Sequence, residues 1–335
     1  MPRIHWISAR LGGSSSGRFN NNDSGGGMDP VSLDFNPETL VALNVMIAIM
    51  MFGVSLELKP DDFKRIARNP KAPIIGLVLQ FLILPAATCA ATWFLRIDPM
   101  LAMGMMLVAS CPGGTFSNIM TWVARGNVAV SVSMTAVSSV AASVLTPLNF
   151  ALYSWLNPHT RPLLTEIAMD PVGLLLVVIM VLGVPLMLGM LVGGRFPGLS
   201  RKVEKPLRLF AMGLMLLLAA IAFFKNTDQF LQHFNLFFFL VVAHNALALF
   251  LGYWGAKLSG LPPADCRAIS LEVGIQNGAL ALVIIFTFFP NASGMLLIAG
   301  FWGVWHLVSG ITLSTYWSRR PVDAPVQTHQ IQNKA

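Results

Sequence analysis

From Leu40 onward the chain is a succession of apolar runs, each long enough to cross the roughly 30 Å hydrocarbon layer of a bilayer. Reading the runs and their breakers gives nine spans, near 39–57, 72–95, 99–124, 127–155, 171–194, 207–224, 233–256, 265–289 and 293–317. In lipid every backbone N–H and C=O must find its partner inside the protein, so runs of this length are helices. The expectation is an all-α polytopic membrane protein, with one transmembrane domain over residues 37–318. Composition agrees, at 55% hydrophobic and 11% charged residues and a mean hydropathy of +0.67, where soluble domains carry about 25% charged residues.

Residues 1–36 are polar and rich in Gly, Ser and Asn, without the apolar core of a signal peptide, and are expected to be a disordered tail. Arg3, Arg10 and Arg18, with no acid among them, faintly resemble a transit peptide; a true start at Met28 is the alternative. Residues 319–335 form a second short tail. Lys59, Lys64, Arg65, Arg68 and Lys71 follow the first span, and Arg195, Arg201, Lys202, Lys205 and Arg208 follow the fifth. The positive-inside rule places both loops in the cytoplasm. Arg125, Lys257, Arg267, Arg319, Arg320 and Lys334 then fall inside too. Of the 22 Lys and Arg, only Arg96, Arg161, Lys225 and the tail arginines lie outside. Nine spans with the N-terminus outside and the C-terminus cytoplasmic, in the plasma (inner) membrane, satisfy this bias. The net charge of +7 is spread between spans and forms no stripe for nucleic acid. Cys89, Cys111 and Cys266, odd in number and without a CxxC pair, suggest neither a disulfide framework nor a zinc site.

Two spans are interrupted by polar groups. The third contains Cys111-Pro112-Gly113-Gly114-Thr115-Phe116-Ser117-Asn118, and the eighth contains Ser270-Leu271-Glu272-Val273-Gly274-Ile275-Gln276-Asn277-Gly278. Each follows a Pro-bearing turn, and the span before each holds internal polar residues, Gln80 in one case and His244-Asn245 in the other. Gln80 to Pro99 and His244 to Pro263 are both 19 residues. Spans two to four and seven to nine therefore read as repeats of opposite sidedness. Inverted repeats with paired broken helices are the plan of secondary transporters, with the site near the midplane.

A helix break frees backbone N–H groups for an anion and carbonyls for a cation. Glu272, Gln276, Asn118 and Ser117 supply oxygens nearby, and Ser131 and Thr135 on the fourth span share a face one turn apart. Hard cations take oxygen ligands, so sodium is the natural ion. Glu272 is the acid well inside an apolar segment; a lone buried carboxylate takes a proton, whereas a bound cation holds it ionised. Its plain structural role would be a protonated side chain bonded between helices. His244 with Asn245 reads as a tether between helices, and Met103-Gly104-Met105-Met106 as packing.

These motifs, together with Arg125-Gly126-Asn127-Val128-Ala129 and Trp305-His306, closely resemble the bile acid:sodium symporter family over about residues 40–317. The resemblance implies a core domain with two crossing broken helices, a panel domain, and two sodium sites behind the crossing. One site would use Ser117, Asn118, Ser131, Thr135 and Glu272. The second would use Gln80, Gln276, Glu272 and the carbonyls of Val273 and Ile275. Thr115, Asn277 and His306 would face the substrate, although Leu307 stands where family members commonly have Asn. The implied function is sodium-coupled import of an organic anion, similar to a bile acid, pantoate or a keto or hydroxy acid, by alternating access, with no further cofactor. A proton-coupled carrier in which Glu272 titrates is the alternative within this class, and an ion channel the alternative outside it. An enzyme is disfavoured, since HExxH and GxSxG are both missing.

Overall fold

The computed structural model describes residues 68–166, 183–200, 234–289 and 292–320, with scattered positions between 48 and 56 and between 202 and 220. Most of the expected spans at 39–57 and 207–224, the first half of that at 171–194, and the tails 1–36 and 321–335 lie outside the described residues. The elements are α1 (Lys71–Phe94), α2 (Pro99–Ser110), α3 (Phe116–Val123), α4 (Val128–Leu156) and α5 (Arg161–Glu166), followed by α6 (Val184–Arg195), α7 (Phe234–Leu258), α8 (Pro263–Gly274), α9 (Gly278–Phe288) and α10 (Ser293–Ser318). Lys71–Phe94, Val128–Leu156, Asn235–Leu258 and Ser293–Ser318 are each long and apolar enough to cross a membrane. The protein is an all-α polytopic membrane protein.

The third and eighth expected spans are each two short helices, α2 with α3 and α8 with α9, parted at Cys111–Thr115 and Ile275–Asn277. Local chemistry sets these limits. Asp98 caps α2, its Oδ1 accepting from Met100 N at 3.0 Å and Leu101 N at 3.3 Å, with Pro99 at the first helical position. Cys111 turns extended ahead of Pro112, as residues before proline do. Asn127 caps α4 through Ala129 N and Val130 N, and Asn277 caps α9 through Leu280 N at 3.1 Å. α1 departs from α-helical form at Leu79–Ile83, a π-helical stretch that the apolar pattern does not announce.

A continuous core joins α2, α4, α7, α8, α9 and α10, with Met103, Met134, Phe286 and Trp302 fully buried. The Met-rich run is packing, as expected, and Trp302 is part of the core. All three cysteines are free and buried.

The helix ends sort onto two faces. Asn127 Nδ2 donates to Asp265 Oδ1 at 2.7 Å and Asn127 N to Ala264 O at 3.0 Å, joining the start of α4 to the start of α8. Arg267, 7% exposed, donates to Ala124 O at 2.7 Å, to Trp317 O at 3.1 Å and to Arg320 O at 2.7 Å. It thus caps the C-terminal ends of α3 and α10, where the helix dipole favours a cation. On the opposite face a side chain at Gly294 would meet Met100 and Leu101, so α10 and α2 begin together.

Candidate ion-binding site

The two breaks meet. Gly114 N donates to Ile275 O at 2.7 Å and Asn277 N donates to Pro112 O at 2.8 Å, an antiparallel pairing centred on Gly113 and Gln276. Backbone groups left over by four helix ends thereby satisfy one another where water is scarce. Gly113 is required here, because a Cβ at this position would land on the Glu272 carboxylate.

Glu272, fully buried on the last turn of α8, is surrounded by hydroxyls. Its Oε2 accepts from Ser117 Oγ, the first turn of α3, and from Ser131 Oγ at 3.1 Å; its Oε1 accepts from Thr135 Oγ1 at 2.7 Å. Asn118 Oδ1 accepts from Ser131 Oγ at 2.8 Å and from Thr135 Oγ1 at 3.3 Å, and Thr121 Oγ1 donates to Ser131 Oγ at 3.3 Å. Each hydroxyl has a single proton. Ser131 donates to Asn118 or to Glu272, and Thr135 to Glu272, to Asn118 or to Ser131 O at 3.0 Å, so each of these oxygens keeps lone pairs that no proton of the cluster occupies. The side-chain oxygens of Ser117, Asn118, Ser131 and Thr135 and both carboxylate oxygens of Glu272 converge here, an all-oxygen ligand set of the kind a hard cation takes. Among the described residues no group of three or more His, Cys, Asp and Glu converges, so this is not a transition-metal arrangement.

Of the other expected residues, Gln276, Val273 and Ile275 lie at the break of the eighth span, and Gln80 lies on α1. Gln80, on the π-helical stretch of α1, is fully buried with neither amide atom partnered, and Gln276 Oε1 is likewise without a partner. Gln276 Nε2 turns back to Val273 O at 2.9 Å, and Ile275 O takes the Gly114 amide. Gly76, one turn before Gln80, abuts Ile269 of α8. No hydrogen bond joins Gln80 to Gln276 or to Glu272 among the described residues.

Thr115 and Asn277 stand half-buried at the two breaks. Asn277 spends its side-chain oxygen on capping α9. His306 is buried on α10 with Nδ1 unpartnered, between Gly303, which abuts Gly278, and Gly310, which abuts Ile275 and Met120. That stripe of α10 therefore faces the break of the eighth span. His244 accepts or donates with Thr88 Oγ1 at 2.9 Å and packs on Trp302, while Asn245 Nδ2 donates to Gly274 O at 2.8 Å. Together they tether α7 to α1, α8 and α10, as the sequence suggested. Thr121, Arg267 and the π-helical stretch were not singled out by sequence. Thr121 was accessible to the same reasoning, since it falls one turn after Ser117 on the face of α3 that carries it.

Two interrupted helices paired through their backbones, with a buried carboxylate among hydroxyls beside them, define a membrane carrier. The model of the Sodium Bile acid symporter family matches residues 44–233. The "Uncharacterized sodium-dependent transporter YocS" of Bacillus subtilis is 33% identical over 281 residues, covering 83% of this chain and 83% of that protein. The "Probable sodium/metabolite cotransporter BASS1, chloroplastic" of Arabidopsis thaliana is 32% identical, covering 82% of this chain and 66% of that protein. The "Ileal sodium/bile acid cotransporter" of Oryctolagus cuniculus is 28% identical, covering 72% and 68%. This chain belongs to the sodium bile acid symporter family.

Proposed function

We propose that this protein, a sodium-coupled symporter of a small organic anion and not an enzyme, binds its coupling ions behind the paired breaks and its substrate in front of them. The observation that carries this is the convergence of the Ser117, Asn118, Ser131 and Thr135 oxygens on the buried Glu272 carboxylate. One sodium ion takes the oxygens of Ser117, Asn118, Ser131, Thr135 and Glu272. A second takes Gln80, Gln276, Glu272 and the carbonyls of Val273 and Ile275, a reading supported by the unpartnered side-chain amide of Gln80 and the unpartnered Oε1 of Gln276. Bound sodium neutralises Glu272 and braces the two breaks.

At each break one helix ends and another starts. The ends of α2 and α8 offer carbonyls to cations, while the starts of α3 and α9 offer N–H groups and positive dipole ends to an anion. A carboxylate or sulfonate seated there would be read by Thr115, Asn277 and His306. The relatives' names refer to bile acid in one case and to a metabolite in another, so the substrate is written as a small organic anion. Nine spans, built as two inverted three-span repeats within a core and panel, with the N-terminus outside and the C-terminus cytoplasmic in the plasma membrane, complete the proposal. It is supported by the antiparallel pairing of the breaks and by the gathering of Arg125, Arg267, Arg319 and Arg320 at one face. Alternating access then follows from the core moving against the panel.

The test is uptake into proteoliposomes with a sodium gradient or a proton gradient imposed separately. Uptake of a carboxylate driven by sodium alone, saturable in both solutes, is expected. Uptake driven by protons with sodium absent would replace this reading with a Glu272-titrating carrier, and non-saturable flux would point to a channel.

A further inference from the structure

Gln80 sits in a π-helical stretch, Leu79–Ile83. Such a stretch carries one residue more than an α-helical turn, which widens the helix and loosens its own carbonyls from their α-helical partners. Two of these carbonyls are held from α4. Asn149 Nδ2 donates to Phe81 O at 2.6 Å, and Tyr153 Oη donates to Leu82 O at 3.2 Å. Asn149 and Tyr153 are four residues apart, on one face of α4, and both are buried. The residue just before the held carbonyls is Gln80, fully buried with neither end of its amide partnered.

We infer that Asn149 and Tyr153 are positioning residues that hold the π-helical stretch open and so aim Gln80 at a cation, an inference that rests on the two-ion reading above. Were the stretch to relax to α-helix, one half of α1 would turn against the other by about 100°, carrying Gln80 off its target. α4 then serves both ion sites. Its first half supplies Ser131 and Thr135, and its second half, 18 residues on and so on the same face of the helix, braces the stretch that carries Gln80.

The experiment titrates sodium against thermal unfolding of the purified full-length protein, with choline holding ionic strength constant. Gln80→Ala, Asn149→Leu, Tyr153→Phe and the Gln80→Ala/Asn149→Leu double variant are compared with the parent. Asn149→Leu raises the half-saturating sodium concentration about tenfold and Tyr153→Phe about threefold, as expected for one lost buried hydrogen bond apiece. The double variant is no worse than Gln80→Ala alone, because the brace acts through Gln80. Where Asn149→Leu does not yield folded protein, Tyr153→Phe, which removes a single hydroxyl, decides the matter. Parental sodium affinity in Tyr153→Phe, or an additive double variant, overturns the inference while a shifted Gln80→Ala leaves the two-ion reading standing. An unshifted Gln80→Ala overturns both.

Discussion

Thr135 Oγ1 donates to Glu272 Oε1 at 2.7 Å across 137 residues of chain, joining the fourth span to the break in the eighth. Replacing Thr135 by Val keeps the shape and removes one oxygen from the site. The half-saturating sodium concentration for uptake should rise about tenfold, with substrate KM at saturating sodium nearly unchanged. Sodium-dependent uptake kinetics at several substrate concentrations check this. A rise in substrate KM alone would place Thr135 outside the ion site.

Glu272→Gln is nearly isosteric and keeps an acceptor for the surrounding hydroxyls, so the protein should fold. It cannot neutralise a cation. Sodium-stimulated uptake should drop about a hundredfold, and the thermal stabilisation conferred by sodium should vanish. Uptake and melting curves in sodium against choline measure both, and retained sodium stimulation would remove Glu272 from the mechanism.

Gly113→Ala leaves every proposed ligand in place yet puts a methyl group onto the Glu272 carboxylate. Overpacking of this kind costs about 1–3 kcal/mol. The melting temperature should fall and sodium should lose most of its stabilising effect. The same substitution at Gly194, where a Cβ meets nothing within 4 Å, is the control and should be neutral in both.

Arg267→Met removes the donor shared by Ala124 O, Trp317 O and Arg320 O. Leaving these carbonyls without their charged partner should cost about 2–3 kcal/mol, and Lys should recover only part, since one ammonium does not reproduce the fork of a guanidinium. Melting temperature in detergent reports the loss. A fully stable Arg267→Met protein would show that the clamp contributes nothing.

The sequence carried the breaks because proline, glycine and polar side chains are expensive inside apolar spans, so Pro112 to Asn118 and Glu272 to Gly278 stand out wherever the chain is read. Ser131 and Thr135 were legible from helical spacing alone. The π-helical stretch was not. Leu79-Gln80-Phe81-Leu82-Ile83 holds no glycine or proline, and the carbonyls it frees are met by Asn149 and Tyr153, which are distant in sequence. Arg267 read as one of several cytoplasmic charges, and its role depends on carbonyls from α3, α10 and the residues just beyond converging on one point. Contacts of that kind follow from tertiary geometry, which no local pattern encodes.

The two breaks are joined through main-chain atoms of Pro112, Gly114, Ile275 and Asn277. Beyond the space that Gly113 leaves at its centre, a joint of this kind makes no use of the side chains that flank it. Residues lining the substrate face can therefore be exchanged over evolutionary time, adapting the carrier to a new cargo, while the mechanical linkage between the two halves passes unchanged from one descendant to the next.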